Sequence, residues 1–72
     1  MNDTALKAAL EAILFASGSP VTIEKLSEIL ELPDERIAAA ASSLAEDMKD
    51  GASGIELITV DGAYQLCTKP LF

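Results

Sequence analysis

The chain of 72 residues carries five basic and twelve acidic side chains, and half of its residues are apolar, which suits one small acidic domain with a formal net charge of −7. That charge repels nucleic-acid phosphates and anionic membrane surfaces, so a general role in holding DNA is disfavoured. The single Cys67 excludes an internal disulfide, and no apolar run is longer than that of residues 12–16, which is far shorter than the ~20 residues of a membrane-spanning helix. A cytoplasmic location is therefore expected.

The first predicted helix runs to about Ser17 and carries apolar side chains around most of its circumference. Asp3 or Thr4 is expected to cap its start, and Gly18, followed by Pro20, to end it. At about 100° per residue, one side collects Leu6, Leu10 and Ile13, and the nearly opposite side collects Ala8, Ala12 and Phe15. Either both faces are buried within the domain, or the face around Phe15 is exposed and serves association.

Two further helices are predicted, one on each side of a tight turn at Pro33. The second helix is capped by Thr22 and buries Ile23, Leu26, Ile29 and Leu30. The third begins with Pro33, Asp34 and Glu35 and buries Ile37, Ala41, Leu44 and Met48. Its outward face has small, almost uncharged side chains, among them Ala39, Ser42 and Ser43, which another helix could approach closely.

From Gly54 onwards the apolar period changes from helical to alternating. Residues 55–60 and 63–68 are predicted strands of a hairpin, because Asp61-Gly62 is typical of a two-residue turn with positive φ at both positions. In that register Leu57 faces Leu66 and Thr59 faces Tyr64. The inner face collects Ile55, Leu57, Tyr64 and Leu66, and the outer face collects Glu56, Ile58, Val60, Gln65 and Cys67. Ile58 and Val60 are either isolated exposed residues or part of an interface.

Three helices followed by a two-stranded β-hairpin wing predict an α+β fold of the winged helix-turn-helix class. A DNA-binding transcriptional regulator is the alternative function, in which the third helix would enter the major groove. The residues argue against it, because the exposed face of that helix offers alanine, serine and glutamate, and Arg36 and Lys49 are its only cations. The tip of the wing is the acidic Asp61.

Catalysis is also not expected, since the chain has no histidine or glycine-rich phosphate loop, and Cys67 has no base nearby in sequence. No catalytic, cofactor-binding or metal-binding residue is predicted. A protein-binding module remains, and its candidate interface residues are Ala8, Ala12, Phe15, Ala39, Ser42, Ser43, Ile58 and Val60. The open edge of the hairpin could also accept an added strand.

Two blocks carry a family resemblance: LEAILFASGSPV at residues 10–21, and GIEL at 54–57 followed by YQLCTKP at 64–70. They resemble the N-terminal domain of the bacterial segregation and condensation protein B (ScpB) family, and the likeness covers nearly the whole chain. It implies a non-enzymatic subunit of the SMC-kleisin (condensin-like) complex in chromosome condensation and segregation, which forms a homodimer and binds the kleisin ScpA, and through it SMC.

The resemblance also bears on the extent of the chain and on its partners. Family members have two winged-helix domains, so residues 1–72 are expected to be the first domain of a longer protein, and the ending at Leu71-Phe72 agrees with this. The implied location is the cytoplasm, at the nucleoid through the complex. From the charge of the chain and the residues of the third helix, neither a membrane nor a specific DNA sequence is expected as a partner.

Overall fold

A computed structural model describes residues 1–70, so the prediction drawn from Leu71 and Phe72 lies outside the described residues. The elements in chain order are helix α1 (Asp3–Ser17), strand β1 (Val21–Thr22), helix α2 (Ile23–Leu30), helix α3 (Asp34–Asp50), and strands β2 (Ile55–Val60) and β3 (Ala63–Thr68). Three helices and a small antiparallel sheet confirm the predicted winged-helix fold.

The start of α1 differs from its prediction by one residue. Asn2 is the capping residue, because its extended backbone lets the side-chain Oδ1 accept a hydrogen bond from the backbone N–H of Ala5 at 2.8 Å. The prediction of Asp3 or Thr4 as the cap was wrong, since both lie inside the first turn. Gly18 ends the helix as predicted, in a left-handed conformation with φ 67° that favours glycine.

The turn between α2 and α3 begins before Pro33, the position at which the sequence predicted it. Helix α2 ends at Leu30, and Glu31 adopts a left-handed conformation with φ 55°. Beyond it, the backbone N–H of Leu32 donates to the carbonyl O of Ser27 at 3.2 Å, and the Ser27 hydroxyl donates to the carbonyl O of Leu32. Thr22 caps the start of α2 as predicted, accepting a bond from the Lys25 N–H at 3.1 Å.

The hairpin has the predicted strands, turn and register. Leu57 pairs with Leu66 and Thr59 with Tyr64. Both turn residues have positive φ, 48° at Asp61 and 76° at Gly62, as a two-residue turn of the primed type requires.

The sheet has one strand more than the predicted hairpin, because β1 pairs with β3 and the sheet order is β1-β3-β2. Val21 pairs with Tyr64 and Thr22 with Ala63. The backbone N–H of Ile23 then donates to the carbonyl O of Gly62 at 3.2 Å, which joins the start of α2 to the wing turn. A strand of two residues is too short to show the alternation that identifies strands in a sequence.

The core lies between the three helices and the inner face of the sheet. Its fully buried side chains are Leu6, Leu10, Leu26 and Ile37, and the predicted stripe of α3 is also buried. Leu14 is only 3% exposed at the end of α1, whereas Ile13 is half-buried and packs at the margin of this core. Leu57, Tyr64 and Leu66 pack against this core from the sheet.

One predicted core position of α2 was wrong. Ile29 is 48% exposed, because it lies on the edge of this short helix rather than on the side that Leu26 turns towards the core. The prediction treated the whole apolar set of α2 as one buried stripe, yet eight residues give a helix of little more than two turns and few neighbours.

Candidate protein interfaces

The buried side chains of the described part of the domain are all apolar. No buried polar or charged group occurs within residues 1–70. In the same span no group of three or more histidine, cysteine, aspartate or glutamate side chains could hold a metal ion.

Helix α1 exposes its second apolar face. Ala8, Ala12 and Phe15 are all exposed, and Phe15 retains 75% of its accessible surface. The helix packs through Leu6, Leu10 and Leu14, which lie on the other side, so α3 and the sheet cover only one of its two faces. Of the two alternatives for this helix, the domain by itself shows the exposed face, which leaves a large aromatic group free for a partner.

Phe15 borders an apolar groove between the end of α1 and the sheet. Helix α1 and its cap contribute Leu14, Phe15 and Gly18 to the lining, and the sheet contributes Ile55, Leu66, Cys67 and Thr68. The volume of the groove is about 190 Å³, and none of these seven lining side chains is charged. The predicted interface residue Phe15 thus lies beside residues of β2 and β3 that the sequence had assigned to the wing.

A second apolar groove lies on the other side of the same helix end. It is lined by Ile13, Ser17, Pro20, Val21, Thr22, Lys25 and Ile29, and its volume is about 460 Å³. Sequence reasoning missed it, because Ile13 and Ile29 were both assigned to the core. The available signal was the short length of α2, which limits how many of its apolar side chains the domain can cover.

The small-residue face of α3 is more polar than its sequence suggested. Ala39, Ser42 and Ser43 are exposed as predicted. Lys7 of α1, however, reaches across, and its Nζ lies 3.3 Å from Ser43 Oγ and 2.6 Å from Asp47 Oδ2.

Further charges surround a cleft of about 100 Å³ between α1 and α3. Its lining combines Ala39, Ala40 and Ser43 with Asp3, Lys7 and Arg36. Arg36 donates to the carbonyl O of Met1 and lies 3.8 Å from Asp3 Oδ1. A helix approaching Ala39 and Ser43 would therefore meet paired charges.

The outer hairpin face is only partly exposed. Val60 is 41% exposed beside the wing turn, and Ile58 is half-buried. Phe15 and Ala39 line different grooves, so the structure does not gather the predicted interface residues into one patch.

Comparison with known proteins identifies the family. Residues 8–72 match the model of a family described as segregation and condensation complex subunit ScpB. The chain belongs to the ScpB family. The resemblance drawn from the two sequence blocks is thereby confirmed, and the segregation and condensation protein B of Alkaliphilus oremlandii is 34% identical to this ScpB chain over 70 residues. That alignment covers 97% of this chain and 38% of the relative, so the chain spans little more than a third of the relative's length.

Two solved ScpB structures have the same fold. One is a dimer of an ScpB N-terminal domain complexed with an ScpA peptide, with a TM-score of 0.90 and 29% identity over 94% of this chain and 85% of that one. The other is ScpB from Mycobacterium tuberculosis, with a TM-score of 0.93 and 30% identity over 100% of this chain and 45% of that one. The ScpB fold therefore extends over the whole described domain.

No helix within residues 1–70 of this ScpB domain is both long enough and apolar enough to cross a membrane.

Proposed function

We propose that this chain is the first winged-helix domain of a longer ScpB and a non-enzymatic, dimerising scaffold in a bacterial SMC-kleisin complex. Its partners are a second copy of itself and the kleisin ScpA, and through ScpA the SMC protein. The cellular role is chromosome condensation and segregation, in the cytoplasm at the nucleoid. The observation that carries the proposal is the close structural match to an ScpB N-terminal domain solved as a dimer with an ScpA peptide.

The surface chemistry supports a protein partner. A protein interface needs exposed apolar side chains, and Phe15, Ile29 and Val60 supply them at three separate places. The aromatic Phe15 is of the residue class that is enriched in interface cores. The two apolar grooves beside the end of α1 offer concave surfaces without any buried charge.

The same surface disfavours nucleic acid. Arg36, the cation at the start of α3, already donates to the Met1 carbonyl and lies beside Asp3. The wing turn presents Asp61, and the whole chain carries a net charge of −7. Binding to duplex DNA at low salt, falling steeply as salt rises, would contradict the proposal in favour of a regulator.

Sedimentation equilibrium over a range of concentrations tests the self-association. We expect a reversible monomer-dimer equilibrium, and a strictly monomeric chain at high concentration would count against it. Three single variants probe the three candidate surfaces: Phe15→Ala on α1, Ser42→Lys on α3 and Val60→Lys on the wing. Glu28→Gln is a matched control on an exposed position outside all three sets. The variant that shifts the equilibrium towards monomer identifies the dimer surface.

A further inference from the structure

One side of the central strand β3 is only half covered by the sheet. Strand β2 pairs with all six residues of β3, from Ala63 to Thr68. On the opposite side, β1 pairs with Ala63 and Tyr64 only. The second half of β3 therefore has no strand neighbour on the β1 side among the described residues.

The register shows which backbone groups face that open side. In a two-residue hairpin the closing pair, here Val60 and Ala63, exchanges hydrogen bonds, and bonded pairs then alternate with non-bonded ones. The backbone groups of Gln65 and Cys67 thus point to β2, whereas those of Leu66 and Thr68 point to the β1 side. The bond from the Lys69 N–H to the Gly54 carbonyl, 2.8 Å long, agrees with this alternation.

The chain before β1 does not cover the open half. Pro20, directly before Val21, has no backbone N–H to donate to a strand. Gly18 turns the chain in a left-handed conformation, and the hydroxyl of Ser17 donates to the carbonyl O of Ser19 at 3.1 Å. The connection is therefore folded on itself where β1 would have to continue.

The open half of β3 coincides with the groove beside Phe15. Leu66, Cys67 and Thr68 form one wall of that groove, and the end of α1 with Leu14 and Phe15 forms the other. Strand addition needs a row of free backbone groups and a neighbouring pocket for side chains. The groove of about 190 Å³ supplies the pocket, and Leu66 with Thr68 supply the row.

We propose that this groove binds an extended segment of ScpA, which adds a strand to β3 in line with β1 and places an apolar side chain against Phe15. The proposal rests on the proposed function, because it takes ScpA as the partner. The charges near the groove indicate which side chains the bound ScpA segment carries. The groove lining is uncharged, and the exposed Glu11 lies one helical turn before Phe15. The segment is therefore apolar at its centre and carries lysine or arginine beside it.

A pair of proline substitutions tests the strand addition directly. Thr68→Pro removes a backbone N–H from the proposed edge, and Thr59→Pro removes one from the outer edge of β2. Both threonines are exposed and occupy non-bonded positions of the hairpin, so neither change breaks a β2-β3 hydrogen bond. The probe is a fluorescent synthetic peptide from ScpA of the same genome, spanning the part that corresponds to the peptide in the solved complex, and the readout is anisotropy.

We expect Thr68→Pro and Phe15→Ala each to weaken binding of that peptide about tenfold, and Thr59→Pro to weaken it less than about twofold. Hydrogen exchange measured by NMR gives a second readout in the wild-type chain. The amide protons of Leu66 and Thr68 should exchange more slowly once the peptide is bound, and those of Leu57 and Thr59 should not change.

The outcomes separate this inference from the proposed function. If the wild-type chain does not bind the peptide, both the inference and the proposed ScpA partnership are wrong. If it binds, but Thr68→Pro and Phe15→Ala bind equally well, only the groove is wrong. If only Thr59→Pro weakens peptide binding, the added strand pairs with the outer edge of β2 and not with β3. Circular dichroism checks that the proline variants fold. If Thr68→Pro is unfolded, peptide binding by Phe15→Ala and the exchange rates of the Leu66 and Thr68 amides test the groove instead.

Discussion

Lys69 donates a hydrogen bond from its Nζ to the carbonyl O of Met48 at 2.6 Å, and so joins the residue after β3 to the last turn of α3. The final carbonyl groups of a helix have no partner within the helix, and the negative end of the helix dipole attracts a cation. The lysine side chain thus satisfies one such carbonyl from outside the helix. The contact fixes the end of the wing against α3.

Replacing Lys69 by methionine should therefore destabilise the domain. We expect Lys69→Met to lower the free energy of unfolding by about 1 to 2 kcal/mol, since the lost bond involves a charged donor in a partly buried place. Lys49→Met is the matched control, because Lys49 lies in the same last turn and is exposed. It should change that free energy by less than about 0.5 kcal/mol in urea titrations. Equal effects of both variants would show that the loss of a positive charge near the end of α3, and not the loss of this hydrogen bond, lowers the free energy of unfolding.

The ion pair between Lys7 and Asp47 joins α1 to α3 over a distance of 2.6 Å. The Asp47 side chain is 58% exposed, so solvent screens most of the attraction. A double-mutant cycle with Lys7→Met and Asp47→Asn should give a coupling free energy of about 0.5 kcal/mol that declines in 1 M salt. The same cycle with Asp50→Asn in place of Asp47→Asn should give none. A coupling that does not respond to salt would contradict a screened ion pair.

The hairpin could be predicted from local sequence, whereas the exposed helix faces and grooves could not. The Asp61-Gly62 turn and the alternation around it determine the register without reference to the rest of the chain. The exposure of Phe15 and Ile29 depends instead on which neighbours reach each helix face, and helical periodicity does not contain that information. The groove beside Phe15 depends on the packing of α1 against β3, and β1 is too short to show a pattern.

Gly62 should tolerate asparagine far better than valine. Its φ of 76° is in the left-handed region, which asparagine adopts at small cost and a β-branched residue does not. We expect Gly62→Val to lower the free energy of unfolding by about 1 to 2 kcal/mol and Gly62→Asn by less than about 0.5 kcal/mol. Thermal or urea unfolding measures both. An equal loss in the two variants would mean that side-chain bulk, rather than backbone conformation, limits this position, although open space surrounds it.

Leu26 and Ile29 lie on the same short helix but should respond very differently to truncation. Leu26 is fully buried, so Leu26→Ala should lower the free energy of unfolding by about 2 to 5 kcal/mol through lost burial and a residual cavity. Ile29 is 48% exposed, so Ile29→Ala should lower it by less than about 1 kcal/mol. Urea titration of the two variants compares them. A large loss for Ile29→Ala would show that the groove beside it is covered in solution.

Phe15 and its neighbour Leu14 give the sharpest test of the two faces of α1. Leu14 is 3% exposed and Phe15 is 75% exposed, although both are large apolar residues at consecutive positions. We expect Leu14→Ala to lower the free energy of unfolding by about 2 to 5 kcal/mol, and Phe15→Ala by less than about 0.5 kcal/mol. The measurement is urea unfolding at a protein concentration low enough for the monomer. Because a ligand or second copy stabilises only the state it binds, any larger effect of Phe15→Ala should appear only at high concentration. A large loss at low concentration would instead place Phe15 in the core.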